Sequence, residues 1–180
     1  MVRKIVERIR KKDQRAMSQL YQTYVEELSS VCYRYVSDEN DAKDVLQNSF
    51  MKIFASISNF EYRSEESFKA WLKRVVVNEA LLFLRSKKKL LFVEHNLSED
   101  LQIAEEEPKV EQVSPNDIHR LISELPDGYR TVLNLYVFEG FSHRQIAEML
   151  GIKEGTSASQ LYYAKQLLAK KIRELTKDKQ

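Results

Sequence analysis

The stretch Phe141–Leu168, FSHRQIAEMLGIKEGTSASQLYYAKQLL, decides the fold that this sequence predicts. Its apolar residues recur at helical spacing on both sides of Gly151, a residue type that ends helices at positive φ without strain. The pattern predicts two helices joined by a tight turn, with Thr156 starting the second. The predicted inward face of that second helix is Ser157, Leu161, Ala164, Leu168 and Ile172, and the outward face is Thr156, Ser159, Gln160, Tyr163 and Gln166, with Tyr162 at the border.

A hairpin with an apolar inner face and a polar outer face can lie in a DNA major groove. The same spacing also fits a plain helical hairpin packed in a core. On the DNA interpretation, Gln160 pairs with adenine, and hydroxyl or ring groups contact thymine. The residues predicted to meet base edges are Thr156, Ser159, Gln160, Tyr162 and Tyr163, and those predicted to meet phosphates are Lys165, Lys170, Lys171 and Arg173.

The placement of glycine and proline indicates an all-α protein. All four glycines and all three prolines lie beyond residue 107, so the first hundred residues lack the punctuation of strands and hairpins. Apolar periodicity predicts four N-terminal helices, with Asp13 capping the second, and two further helices before the hairpin. Their predicted ranges are 2–10, 13–35, 41–57, 67–88, 116–125 and 127–138.

Charge divides the chain into three parts. Residues 1–89 hold 18 Lys and Arg against 12 Asp and Glu, residues 90–114 hold one against seven, and residues 115–180 hold ten against eight. Two mildly basic blocks on either side of an acidic segment predict two small helical domains, 1–89 and 115–180, joined by a flexible acidic linker, 90–114.

Several classes of function are not expected. The chain has no phosphate-binding glycine loop and no nucleophile elbow, so we expect no enzyme and no cofactor. Three dispersed histidines and the single Cys32 predict no metal site and no disulfide. The basic N-terminus lacks an apolar signal core, and the longest apolar run, Ala80–Leu84, is too short to span a bilayer. We therefore expect a cytoplasmic protein without direct membrane insertion.

Aromatic and basic residues alternate between positions 60 and 85. Such a mixture suits single-stranded DNA, because bases stack on rings while cations neutralise the backbone. Phe68 and Trp71 have the spacing of core residues, so the better candidates for DNA contact lie in the loop before them and on the exposed side of the following helix. These candidates are Phe60, Tyr62 and Arg63 in the loop, with Lys73, Arg74 and Arg85 as cations of the helix.

The motifs in both halves resemble those of extracytoplasmic-function sigma factors. Asp41-Ala42-Lys43-Asp44-Val45-Leu46-Gln47 with Phe50, then Phe68-x-x-Trp71-Leu72-x-Arg74-Val75-x-x-Asn78 and Leu84-Arg85, resemble sigma region 2. Leu125-Pro126-x-Gly128-Tyr129-Arg130, then Ser142-His143-x-x-Ile146-Ala147-x-x-Leu150-Gly151-Ile152 and Gly155-Thr156, are similar to region 4. The resemblance runs from about residue 13 to 173 in the order that the family shows, with the linker's detail excluded.

The resemblance implies a subunit that recruits bacterial core RNA polymerase to promoters and initiates transcription of a specific regulon. It implies that region 2 meets the clamp helices of the β′ subunit through Asp44, Gln47, Asn48 and Met51. It further implies that loop 58–66 and the exposed side of the fourth helix, including Asn78, capture melted −10 DNA, and that the last helix recognises the −35 duplex. A contact of region 4 with the β flap and a possible anti-sigma factor are also implied. From its charge and position, the acidic linker is a candidate for the channel that nascent RNA later occupies.

Two departures from the family pattern affect these expectations. Leu82 stands where the family usually has Asp, and Val77 where it has a basic residue. The last helix carries Thr156-Ser157-Ala158-Ser159-Gln160-Leu161 and Tyr163 in place of a motif with three arginines, so a guanine-reading scheme does not transfer.

An alternative is a helix-turn-helix transcriptional regulator with an N-terminal ligand-sensing or dimerisation bundle. A regulator that binds only duplex DNA does not need the polar row of Asp44, Gln47, Asn48 and Met51, nor the aromatic-basic loop.

Overall fold

A computed structural model of the chain describes residues 2–87 and 113–177, together with the single positions 90, 92 and 111. Every regular element within these ranges is helical, which confirms the all-α prediction. The chain divides into two compact units, Met1–Lys87 and Lys88–Gln180. Most of the segment predicted to be an acidic linker, 90–114, lies outside the described residues.

The first unit is built from four helices, three of which begin at a recognisable N-cap. Asp13, Asp38 and Ser64 are N-caps whose side chains accept hydrogen bonds from backbone N–H groups of the helices that follow them. The second, third and fourth helices therefore begin one to two residues from their predicted starts. The elements are α1 (Val2–Arg10), α2 (Gln14–Tyr33), α3 (Glu39–Ser56), a 3₁₀ turn (Ile57–Asn59) and α4 (Glu65–Ser86).

The core of this unit lies between α2, α3 and α4, and α1 covers one side of it. All four apolar residues of α1 are buried, namely Val2, Ile5, Val6 and Ile9. Two sequence expectations are wrong. Apolar periodicity in the sequence predicts that Leu82 and Tyr21 face the core, but Leu82 is 49% exposed and Tyr21 is 45% exposed. Burial in α4 follows Val76, Val77, Ala80, Leu81 and Leu84 instead, which turns Leu82 toward solvent.

The second unit contains α5 (Pro115–Ser123), α6 (Asp127–Leu133), α7 (His143–Leu150) and α8 (Glu154–Lys177). Ser114 caps α5 by accepting from the Asp117 N–H, as the Ser-Pro pair predicts. The predicted helix 127–138 is not uniform, because its last five residues, Asn134–Phe138, form a π-helical turn. Tyr136 lies in this turn and is 40% exposed, although its spacing predicts a core residue.

Arg130 is a buried charge at the centre of the second unit. Its guanidinium donates to the backbone carbonyls of Ser123 and Leu125, each at 2.9 Å, and to the carboxylate of Asp127. The side chain is only 5% exposed, so these bonds replace water as the partners of the cation. Arg130 therefore ties the end of α5 to the start of α6, beneath the hairpin formed by α7 and α8.

Within the described ranges, no helix is both long enough and apolar enough to cross a membrane.

Candidate functional site

The four residues predicted to meet a protein partner form an exposed row on α3. Asp44, Gln47, Asn48 and Met51 all face solvent, and Met51 is 62% exposed. The opposite side of α3 holds Ala42, Val45, Phe50 and Ile53 in the core, so packing fixes the orientation of the row.

An apolar groove of about 420 Å³ lies beside this row, between α2 and α3. The rings of Tyr21 and Phe50 meet there with their centroids 4.7 Å apart, and the ring of Phe54 lies 6.0 Å from that of Phe50. Gln47 and Met51 belong both to the row and to the lining of the groove. At its rim, a 2.7 Å hydrogen bond from Lys43 to Glu39 raises the pKa of the lysine and keeps it charged. The surface thus combines polar atoms with an apolar cleft.

The loop between the 3₁₀ turn and α4 is supported by an aromatic cluster. The ring of Phe60 stacks on Trp71 at 4.7 Å and lies 5.4 Å from Phe68, which is fully buried. Tyr62 is half-buried with its ring 6.2 Å from that of Phe68, and Arg63 is exposed. One face of the Phe60 ring is therefore already occupied, which leaves Tyr62 and Arg63 as the more accessible groups of the loop.

A second exposed row follows α4. Arg74, Asn78, Leu82 and Arg85 succeed one another at three- and four-residue intervals on the solvent side of the helix. Lys73, predicted to contact DNA, lies off this row. Its ammonium group pairs with Glu27 of α2 at 2.8 Å. The apolar Leu82 between two polar neighbours is a feature that helical spacing alone did not reveal.

The turn between α7 and α8 is tightly specified. Ser142 and Gln145 form a capping box at the start of α7, and Gly151 ends that helix at φ 68°. The N–H of Ile152 then donates to the carbonyl of Ala147 at 3.1 Å, which closes the turn. Nδ1 of His143 lies 3.0 Å from the hydroxyl of buried Ser157, so α7 and α8 are also joined by side chains.

Four of the five residues predicted to face inward on α8 are buried, namely Ser157, Leu161, Ala164 and Ile172, but the predicted outward face is wrong at Gln160. Gln160, predicted to face outward and read a base, is 1% exposed and lies in the core with Ser157, Leu161 and Ala164. The helix also begins at Glu154 rather than at Thr156. The prediction failed because a glutamine was assigned to the polar face on chemistry, whereas this unit buries several polar side chains. Those side chains are Arg130, Thr131, Asn134, Ser157 and Gln160.

The solvent face of the first half of α8 is formed by Ala158, Tyr162 and Lys165, all of which are exposed. Tyr162 is 39% exposed and meets Tyr163 edge to face at 5.5 Å. Tyr163 in turn lies 6.2 Å from Tyr129, whose pKa is raised by burial. Tyr162 is therefore the centre of the exposed face rather than its border.

The remaining predicted base contacts of α8 lie at the edge of that face. Thr156, Ser159 and Tyr163 are half-buried, and the Ser159 hydroxyl donates to the backbone carbonyl of Thr156 at 3.0 Å. Lys171, predicted to contact phosphate, instead donates to Glu124, the residue that follows α5, at 2.7 Å.

Comparison with known proteins supports the same division of the chain. Residues 20–90 match the family described as sigma-70 region 2, and residues 116–168 match sigma-70, region 4. The ECF RNA polymerase sigma-E factor of Haemophilus influenzae is 31% identical over 183 residues, which cover 95% of each chain. The ECF RNA polymerase sigma factor SigW of Bacillus subtilis is 27% identical over 97% of this chain and 98% of its own.

A solved structure shares the fold. The sigma factor RpoE of Bartonella quintana, determined in complex with the anti-sigma factor NepR, superposes with a TM-score of 0.50 and 23% identity, over 84% of this chain and 92% of that one.

Matches to both regions, in order and over nearly the whole length of curated relatives, set aside the alternative of a ligand-sensing or dimerising regulator. The chain belongs to the extracytoplasmic-function sigma factors, which are not enzymes but subunits of RNA polymerase that initiate transcription of a regulon.

Proposed function

We propose that the α3 row and the adjoining groove bind core RNA polymerase at the clamp helices of β′. Asp44, Gln47 and Asn48 supply hydrogen-bonding groups, and Met51 adapts its flexible side chain to the partner. The groove beside Gln47 and Met51 is suited to an apolar side chain from a partner helix, as in other helix-in-groove contacts. The observation that carries this proposal is the exposed polar row bordering an aromatic groove on an otherwise packed helix.

The loop 60–63 and the α4 row are the proposed site for melted −10 DNA. Tyr62 offers a ring for base stacking, and Arg74 and Arg85 offer guanidinium groups to the backbone. Between them, Asn78 can hydrogen-bond a base edge, whereas Leu82 can make only apolar contact, for example with a thymine methyl. Phe60 supports the loop from beneath through its stack on Trp71.

The exposed face of α8 is the proposed reader of the −35 duplex. Tyr162 takes the central position that the sequence prediction gave to Gln160, and Ala158 allows close approach to the groove. Lys165, one turn further, is placed for a phosphate. The half-buried Thr156, Ser159 and Tyr163 shape the edge of this face. Alanine and tyrosine favour contact with thymine methyl groups over bidentate reading of guanine.

Further partners follow from the family and remain part of the proposal. Region 4 contacts the β flap, an anti-sigma factor holds the free chain inactive, and the protein acts in the cytoplasm, where RNA polymerase works.

The polymerase surface is tested by the double substitution Asp44→Ala with Gln47→Ala. A matched control removes one carboxylate and one amide from the exposed side of α2, through Gln22→Ala with Glu26→Ala. We expect at least a tenfold loss of affinity for core polymerase, about 1.4 kcal/mol, in the first variant and none in the control. The free energy of unfolding of both variants should lie within about 0.5 kcal/mol of the wild-type value. Equal affinity of a folded Asp44→Ala, Gln47→Ala variant would refute the assignment.

A further inference from the structure

We propose that the carboxyl end of α1 binds the phosphate backbone of single-stranded DNA beside loop 60–63, through Lys11 and Lys12. This inference rests on the proposed function, because that function places the melted strand at the loop. Its ligand is the phosphodiester backbone rather than a base, since both side chains are ammonium point charges.

A direct contact places α1 against the loop. The guanidinium of Arg10, the last residue of α1, donates a hydrogen bond to the backbone carbonyl of Phe60, although fifty positions separate them in the sequence. The same helix packs on the 3₁₀ turn Ile57–Asn59. Lys11 and Lys12 follow Arg10 immediately and both are exposed, so the backbone of this lysine pair lies near the loop.

The loop itself repels a phosphate backbone. Loop 60–63 and the first residues of α4 carry Glu61, Glu65 and Glu66 against the single cation Arg63. That arginine is paired with Glu61 at 3.0 Å. The N–H of Glu66 itself and the hydroxyl of Ser64 hold the pKa of the Glu66 carboxyl below its usual range, so that it stays anionic. These carboxylates repel a DNA strand that passes within a Debye length of them, about 10 Å. Cations from a neighbouring element are needed to offset this repulsion.

The end of α1 is the element that can supply them. Two other cations near this end or on this helix are paired, Arg3 with Glu7 at 3.3 Å and Arg8 with Asp13 at 2.8 Å, and Lys4 lies about two turns before the end of the helix. Lys11 and Lys12 are exposed, and within the part of the chain that the structure describes neither has an ion-pair partner. They provide two positive charges at the acidic loop.

The backbone conformation at Lys12 is a second observation in favour of this proposal. Its φ is 61°, in the left-handed region where glycine is most stable and a lysine is strained. The N–H of Lys12 donates to Ile9 and that of Asp13 to Arg8, so the residue forms the turn that ends α1. A lysine held where glycine is more stable suggests that its charge serves a function.

Salt-dependent binding tests the proposal. The variant Lys11→Gln with Lys12→Gly removes both charges and the backbone strain, so weaker binding cannot come from a less stable fold. The control is Lys4→Gln, an exposed charge about 10 Å further along α1 at 1.5 Å per residue. The probe is a fork-junction DNA with a single-stranded non-template segment, cut from a promoter at which the wild-type holoenzyme initiates. It is bound to holoenzyme at several KCl concentrations.

We expect the slope of log Kobs against log salt to fall by about 1.4 in the double variant, or about 0.7 for each phosphate that is no longer neutralised. This corresponds to roughly 25-fold weaker binding at 0.1 M salt. The Lys4→Gln control and binding to a −35 duplex fragment should be unchanged. An unaltered slope in the double variant, or an equal fall in the control, overturns the inference while wild-type initiation stands. Failure of the wild type to initiate at any promoter overturns the proposed function as well.

Discussion

Gln160 and Tyr162 should play opposite roles in α8, and their substitutions separate core from DNA surface. Gln160 is 1% exposed, so Gln160→Ala removes four buried heavy atoms from the second unit. The loss of this packing should cost about 2 kcal/mol, which is within the usual range for destabilising point mutations. For a unit of 60–100 residues this lowers the melting temperature by roughly 8–16 °C. Tyr162 is 39% exposed, so Tyr162→Ala should change stability by less than about 0.5 kcal/mol.

The effects of the two substitutions on DNA recognition should be the reverse of their effects on stability. We expect Tyr162→Ala to lose about 1–3 kcal/mol at one base pair of the −35 element, and Tyr162→Phe to show how much of this belongs to the hydroxyl. Gln160→Ala should weaken all sequences alike, through its effect on the fold. Calorimetry of the full chain, with hydrogen exchange over α7 and α8, measures the stability, and a single-base promoter series measures the specificity. A stable Gln160→Ala variant with a loss at one base pair would refute the placement of this residue.

Three further predictions concern the two units separately. Arg130→Met should destabilise the second unit by about 1–3 kcal/mol, because it leaves the backbone carbonyls of Ser123 and Leu125 without their donor. Calorimetry should show this loss while Trp71 fluorescence reports an unchanged first unit. Lys12→Gly alone should stabilise the first unit by about 1 kcal/mol in thermal melts, by removing the left-handed strain, and a loss of stability would contradict the assigned backbone. The Lys171 ammonium holds the pKa of the Glu124 carboxyl below its usual 4.5, so this ion pair stabilises the fold above pH 4.5, and the stabilisation disappears as the pH falls through the lower folded value. Acid titration of Glu124→Gln should therefore show a shallower loss of stability than the wild type.

Much of the fold could be predicted because its signals are local. The caps Asp13 and Ser114 and the left-handed Gly151 act within a few residues, and the structure places them as the sequence indicates. The exposed α3 row could also be predicted, since the apolar stripe opposite fixes its direction.

The predictions that failed concern features set by contacts between residues that are distant in sequence. The burial of Gln160 could not be found from polarity, because the same unit also accommodates the buried Arg130. Leu82 has the helical spacing of a core residue, but α4 has more apolar residues than its buried face can hold. Only the packing of α4 against α3 decides which of them remain exposed to solvent. The link from Arg10 to Phe60 and the groove at Tyr21 join separate elements and have no local signature.

Initiation in vitro tests the central claim most directly, namely that this chain directs core polymerase to promoters through the α3 surface. Run-off transcription is measured with core polymerase alone, with the wild-type chain, and with the Asp44→Ala, Gln47→Ala variant at limiting and saturating concentrations. We predict discrete transcripts that require the chain, are absent with the variant at limiting concentration and return when it is in excess. Transcripts identical with and without the chain would contradict the account.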